Sequence, residues 1–286
     1  MKSAPCPACS QTKQEDTRVF IFGAPAISSQ TIEGFEVSAT FRGQSAFFNV
    51  YYDNALGTAT GEALADGVLA QCDVDYNAIS QVFGSVAPPL PMTCIVYAGK
   101  GGYHKNSCLN NELYVTGLAL PPPNTPDVAT ALAVLVAEEV EVFSAAQGLG
   151  WNCGDTNGEG LSRVLAEELY PGVIDYYHTA DQWLDSSRPD YVSNNVGNDQ
   201  DNFSNGCSVT FLYYLRYILG YEWAAIVQAG GSTLEQTYQN LTGGSGGYGA
   251  LRQCVDALFP PGSPSGLTTD NPFPAFDYYG ATVSLM

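Results

Sequence analysis

Three glutamates stand at spacings that would let them act together. Glu138 and Glu141 lie in the run Ala137-Glu138-Glu139-Val140-Glu141, and Glu159 sits between Gly158 and Gly160. Residues three apart share one face of a helix, so a helix through this run would present Glu138 and Glu141 together and turn Glu139 elsewhere. Acids crowded into one cleft push a pKa up or recruit a cation. One chemistry open to them is hydrolysis by paired carboxylates, one protonated and one ionised, acting on a glycan or a peptide. The other is a hard-cation site, with calcium or magnesium held by oxygens of Glu141 and Glu159. The bland alternative is a charge run on a solvated helix face, or acids bonded to Arg163 or to tyrosines.

Other reactive types are scarce. The two histidines, His104 in a Gly/Asn-rich stretch and His178 in Asp175-Tyr-Tyr-His178, lie on separate segments. Neither has a partner one helical turn away, so each reads as an ordinary surface or core histidine. Ser162 has no histidine near it and no G-x-S-x-G occurs, which argues against a serine hydrolase. No phosphate loop or dinucleotide fingerprint is present.

The elements that must position the acids follow from periodicity. Residues 1 to about 40 read as a polar, irregular arm. Strands are expected over 46–52, 92–97 and 112–116, with a helix over 61–83 between the first two and a loop over 99–102. Pro121-Pro122-Pro123 reads as a stiff linker. Beyond it the pattern turns helical: 128–147, 157–169, 204–219, 221–229 and 248–259. Ser232-Thr-Leu-Glu235 has capping-box spacing and launches a helix through Leu241. Strands followed by helices predict an α+β protein, organised as an arm (1–45), a sheet-containing lobe (46–125), a helical lobe (126–260) and an extended tail (261–286). Glu138 and Glu141 lie off the centre of the apolar face of the long helix. The small neighbours of Glu159 would let it approach them.

This order of elements, over roughly residues 46–258, resembles the zincin metallopeptidases of the gluzincin type. There a long helix carries H-E-x-x-H and a glutamate on the next helix completes the zinc site. Laid on that motif, Glu138 falls at the general base and Glu159 at the third ligand, while Ala137 and Glu141 occupy the two histidine positions. The closing helices, with Tyr221-Glu-Trp223 and Leu234-Glu-Gln-Thr-Tyr238, are similar to the C-terminal part of plant basic secretory peptidases. The resemblance implies a zincin-like fold with a small mixed sheet. Because Ala137 offers no ligand atom, it implies no zinc. The function expected from it is a zincin-fold protein that has lost zinc peptidase chemistry and serves as a binding or structural protein with a protein or glycan ligand. The alternative is the carboxylate-based hydrolase or hard-cation-dependent enzyme built on Glu138, Glu141 and Glu159.

Composition narrows the setting. Ten Lys+Arg against 29 Asp+Glu give a formal charge of −19 over 286 residues, which disfavours nucleic acid and anionic membrane surfaces as partners. No apolar run is long enough to insert in a membrane. Eight cysteines in an acidic, Tyr- and Asn-rich chain suit an oxidising compartment, so a secreted protein is expected. Residues 1–5 lack the apolar core of a signal peptide, and a leader would lie outside this sequence. At least three disulfides are expected, including Cys153–Cys207, because the two cysteines flank helices that must pack around the cleft. A loop of that length would contribute on the order of 4 kcal/mol.

Overall fold

The computed structural model describes residues 27–32, 35–105, 107–121 and 123–273. Cys6 and Cys9 lie outside the described residues. The chain forms a mixed sheet with eight helices, an α+β arrangement. In chain order the strands are β1 (Ile27–Ile32), β2 (Phe35–Gln44), β3 (Phe48–Asp53), β4 (Met92–Tyr97), β5 (Gly102–His104) and β6 (Glu112–Thr116). They lie side by side as β1-β2-β3-β4-β6-β5. The central pairs β3–β4 and β4–β6 are parallel, and the outer pairs are antiparallel.

Two features of this sheet correct the sequence reading. The stretch expected to be an irregular arm supplies β1 and β2 over 27–44. The glycine loop at 99–102 leads into a three-residue edge strand, β5, too short to show a period of two. Strands β3, β4 and β6 fall where their aromatic- and β-rich runs placed them, to within two residues. The pleat sends Val50, Tyr52, Cys94, Val96, Leu113 and Val115 to the helix-covered face. Tyr51, Ile95, Tyr97 and Tyr114 pack with Val37 and Ala39 on the other face.

The helices are α1 (Thr58–Val82), α2 (Val128–Gln147), α3 (Thr156–Leu169), α4 (Ala180–Leu184), α5 (Asn202–Tyr213), α6 (Trp223–Gln228), α7 (Leu234–Thr242) and α8 (Gly247–Leu258). A π turn over Tyr214–Ile218 extends α5. The helix starting at Leu234 is capped by Thr233, whose hydroxyl accepts from the Gln236 N–H; Ser232 is not the cap. Glu235 instead accepts from Gly246 and Gly247 N–H, joining α7 to α8. Among the described residues no helix is long and apolar enough to cross a membrane.

Helix α2 is the central element. Asp127 caps it, accepting from Thr130 N–H at 2.9 Å, and Gly148 ends it in the left-handed region at φ 67°. From Thr130 to Ser144 every residue except Ala137 is buried, because α1, α3, β5 and β6 all pack against it. A helix enclosed on that many sides cannot carry Glu138, Glu139 and Glu141 as a solvated charge run. The bland reading of these acids fails for that reason.

The disulfide pattern also differs from expectation. Cys153 pairs with Cys108, with Cα atoms 6.1 Å apart, and not with Cys207. Cys207 sits inside α5, fully buried and unbonded; Cys72, Cys94 and Cys254 are unbonded too. One bridge is therefore present among the described residues where three were expected. It closes a loop of 45 residues, worth about 4 kcal/mol in the chain-entropy picture. Burial pushes the Cys72 thiol up to about 12 and that of Cys207 higher still, so these thiols stay protonated and unreactive.

Candidate functional site

A cleft of about 730 Å³ opens between the β5 edge, α2, α3 and the segment around Tyr176–Thr179. All three glutamates singled out in the sequence line it. Glu138 and Glu141 point into it from α2, where Ala137 and Val134 keep the wall low. Glu159, in the first turn of α3, faces them. Glu139 points the opposite way, into the core, as the helical spacing predicts.

The seating of α3 depends on its glycines, one against the turn that precedes it and one against α5. A Cβ at position 158 would lie 2.0 Å from the Asn152 carbonyl oxygen, and one at 160 would lie 1.7 Å from Ser208 Oγ. Asn157 fixes the same turn by donating from its amide to the Gly150 and Gly231 carbonyls at 2.8 and 2.9 Å. The obstacle at 158 is backbone and cannot move aside. Gly158→Ala is therefore expected to lower stability by about 1–3 kcal/mol, read as a fall in thermal midpoint, and to disturb the turn that leads into Glu159.

The fourth member of the cluster is one the sequence did not reveal. His104, at the end of β5, places Nε2 3.1 Å from Glu138 Oε2 and 3.1 Å from Glu141 Oε2. It is not the isolated histidine expected from its loop-like surroundings. The side chains of His104 and Glu141 are 6% and 9% exposed. Asn110 O lies 3.2 Å from Nδ1; a carbonyl only accepts, so Nδ1 carries a proton. Nε2 then faces both carboxylates, although neither lies in hydrogen-bonding alignment with it. Gly102 makes room for this arrangement, since a Cβ there would come within 2.1 Å of Glu138 Oε1. The antiparallel pairing His104↔Leu113 was the one signal available, and it depends on knowing that β5 exists. His178, by contrast, lies at the cleft rim with Nδ1 2.6 Å from Asp175 O and takes no part in the cluster.

The electrostatics follow from burial. Burial raises the Glu138 carboxyl, opposed by His104. It raises Glu141 as well, again opposed by His104. Glu159 is pushed up to about 8 by burial and by the Glu141 charge, and its Oε1 accepts from the Gly154 N–H at 3.3 Å. Burial alone would lower the His104 imidazole. Contact with Glu138 and Glu141 and their charge outweigh it and push it up to about 10. At neutral pH the charged His104 and the protonated Glu159 thus share the cleft floor with Glu138 and Glu141, whose carboxyls burial raises. Arg163, whose charge favours ionised Glu159, is held by donating to Tyr177 O at 3.0 Å.

The residues do not fit the two-histidine, one-glutamate zinc set. Ala137 has no donor atom, Glu141 offers oxygen in place of nitrogen, and the one imidazole arrives from the sheet edge and not from α2. The remaining cleft wall contains the Cys108–Cys153 bridge, Tyr103, Tyr176, Tyr177, Gln182 and Asn202. Comparison with protein-family models, with curated proteins and with solved structures finds no match to this chain.

Proposed function

We propose that the cleft is a hydrolytic site for extended peptide segments, worked by the Glu141–Glu159 carboxyl pair. The observation that carries the reading is that Glu141 and Glu159, brought in by two packed helices, line one open cleft beside the sheet edge, where burial raises both carboxyls. Two acids in one cleft, one of them protonated, can divide acid and base roles between them. The ionised Glu141 takes a proton from an attacking water, and the protonated Glu159 donates to the carbonyl oxygen of the scissile bond. Charge on His104 opposes the rise that burial imposes on Glu138 and Glu141 and so favours their ionised forms.

Strand β5 supports the choice of a peptide. It is the last strand in the sheet order and pairs only with β6 there. Its residues Gly102, Tyr103 and His104 border the cleft. An unpaired strand edge offers backbone N–H and C=O groups to an extended chain. A disulfide in the cleft wall and the acidic composition support a secreted setting.

The test is a screen of unfolded proteins, peptide libraries and polysaccharides between pH 4 and 8, with and without chelator. Peptide cleavage that survives chelation is expected. Cleavage lost on chelation and restored by calcium or magnesium would put a hard cation between Glu141 and Glu159. Retention of a ligand with no turnover of any substrate would make this a binding protein.

A further inference from the structure

We propose that opening the Cys108–Cys153 disulfide converts the cleft floor into a zinc site made by His104, Glu141 and Cys153, a switch that does not depend on the hydrolytic reading. One ligand atom from each of these three residues lies within 4.8 Å of the other two. That is an imidazole nitrogen, a carboxylate oxygen and a sulfur, drawn from β5, α2 and the turn before α3. In the disulfide the sulfur is a poor ligand, because a metal binds the thiolate. The site is therefore complete in position and lacks only the free thiol.

His104 supplies a second, independent observation. Its side chain is 6% exposed, and its Nε2 reaches into the cluster, 3.1 Å from carboxylate oxygens of Glu138 and Glu141. Its other nitrogen is anchored at the Asn110 carbonyl. Anchoring one ring nitrogen on a carbonyl while the other faces the centre is how ligating histidines are oriented. Glu141 is likewise held in place, by its position in the buried middle of α2. Zinc ligands at bond lengths of about 2.0–2.3 Å stand roughly 3.3–3.7 Å apart around a tetrahedron. The present separations need to contract by only about 1 Å, with water as the fourth ligand. A mixed N, O, S set with one open position favours zinc over calcium or magnesium, which take oxygen alone.

The reaction balances with a dithiol as reductant. The Cys108–Cys153 bond accepts two electrons and two protons, the dithiol leaves as its own cyclic disulfide, and zinc then displaces the proton of the Cys153 thiol and the Nε2 proton of His104, both passing to solvent. Both bridging cysteines line the cleft, which gives a reductant access. Because Glu141 would serve the metal, zinc capture would withdraw it from the carboxyl pair.

The experiment measures zinc and cadmium binding by the full chain carrying Cys6→Ser and Cys9→Ser, which removes the C-x-x-C thiols. Three forms are compared after desalting: oxidised, dithiol-reduced, and Cys108→Ser, which frees Cys153 without a reductant. One equivalent of zinc is expected in the last two and none in the oxidised form. Cadmium should add an ultraviolet thiolate charge-transfer band in the same two. Adding Cys153→Ser should abolish both signals, and His104→Ala should weaken zinc at least 10-fold. Circular dichroism checks that each form is folded. If Cys108→Ser does not fold, the reduced form decides. Zinc bound equally by the oxidised form, zinc that persists after Cys153→Ser, or no zinc in any folded form with a free Cys153 overturns the proposal. None of these outcomes bears on whether the oxidised protein cleaves peptides.

Discussion

Replacing Glu159 with glutamine is expected to lower the proposed peptide hydrolysis by roughly 10²- to 10⁴-fold, the usual loss for a positioned acid or base, and to leave the fold intact. Glutamine keeps the volume, so the packing of α3 on α2 survives. What it cannot do is pass a proton to the substrate and take one back. The pH dependence follows from the same group. Glu159 is pushed up to about 8 by burial and by the Glu141 charge, so below that pH it holds the proton the reaction needs, and above it the proton is lost. Activity is therefore expected to fall as pH rises through about 8, and in the residual activity of Glu159→Gln that alkaline limb should disappear. His104, at about 10, stays charged across the same range and does not set this limb. Initial rates from pH 5 to 9 on wild type and variant decide the matter. An alkaline limb unchanged in the variant would remove Glu159 from the mechanism.

Replacing Glu139 with methionine is expected to stabilise the protein, and increasingly so as pH rises. Glu139 is fully buried, and neither carboxyl oxygen has a hydrogen-bond partner among the described residues. Burial first, then the charges of Asp75 and Asp73, raise its carboxyl well above the ordinary range. Below the unfolded pKa of about 4.3, both the folded and the unfolded chain hold the proton and the site costs nothing in ionisation. Above it the unfolded chain ionises while the folded chain stays protonated. Stability from this group is thus fully present at low pH and declines by about 1.4 kcal/mol per pH unit as pH rises toward the folded value. Methionine has similar length and no proton to lose. Thermal or denaturant unfolding of both proteins at pH 4.5, 6 and 7.5 should show the variant gaining steadily on the wild type. A stability difference that does not change with pH would mean that Glu139 ionises freely in the fold.

The sequence determined what is local. Aromatic- and β-rich runs gave β3, β4 and β6, and the 3.6-residue period gave α1, α2 and α3 to within a turn, because each element's own residues carry the pattern that buries it. The separation of Glu138 and Glu141 from Glu139 is likewise helix geometry. The small residues flanking Glu159 were readable as a place of close approach, but what approaches them is the turn at Asn152 and Ser208 on α5, and not α2.

What only the tertiary structure decided is what depends on distant partners. A three-residue edge strand exists because β6 offers it a ladder, so nothing in Gly102-Tyr103-His104 alone could announce it. With that strand comes the imidazole that sits between two carboxylates from a helix more than thirty positions away in the chain. The pairing of Cys153 went to Cys108 because that residue follows the same edge strand into the cleft wall, while Cys207 is turned into the core from the middle of α5. The acids on α2 read as a charge run because a sequence shows charge and not enclosure. Four packed neighbours turned that run into a buried cluster in which one acid keeps its proton at neutral pH, and that is a property of the fold's interior and not of any segment within it.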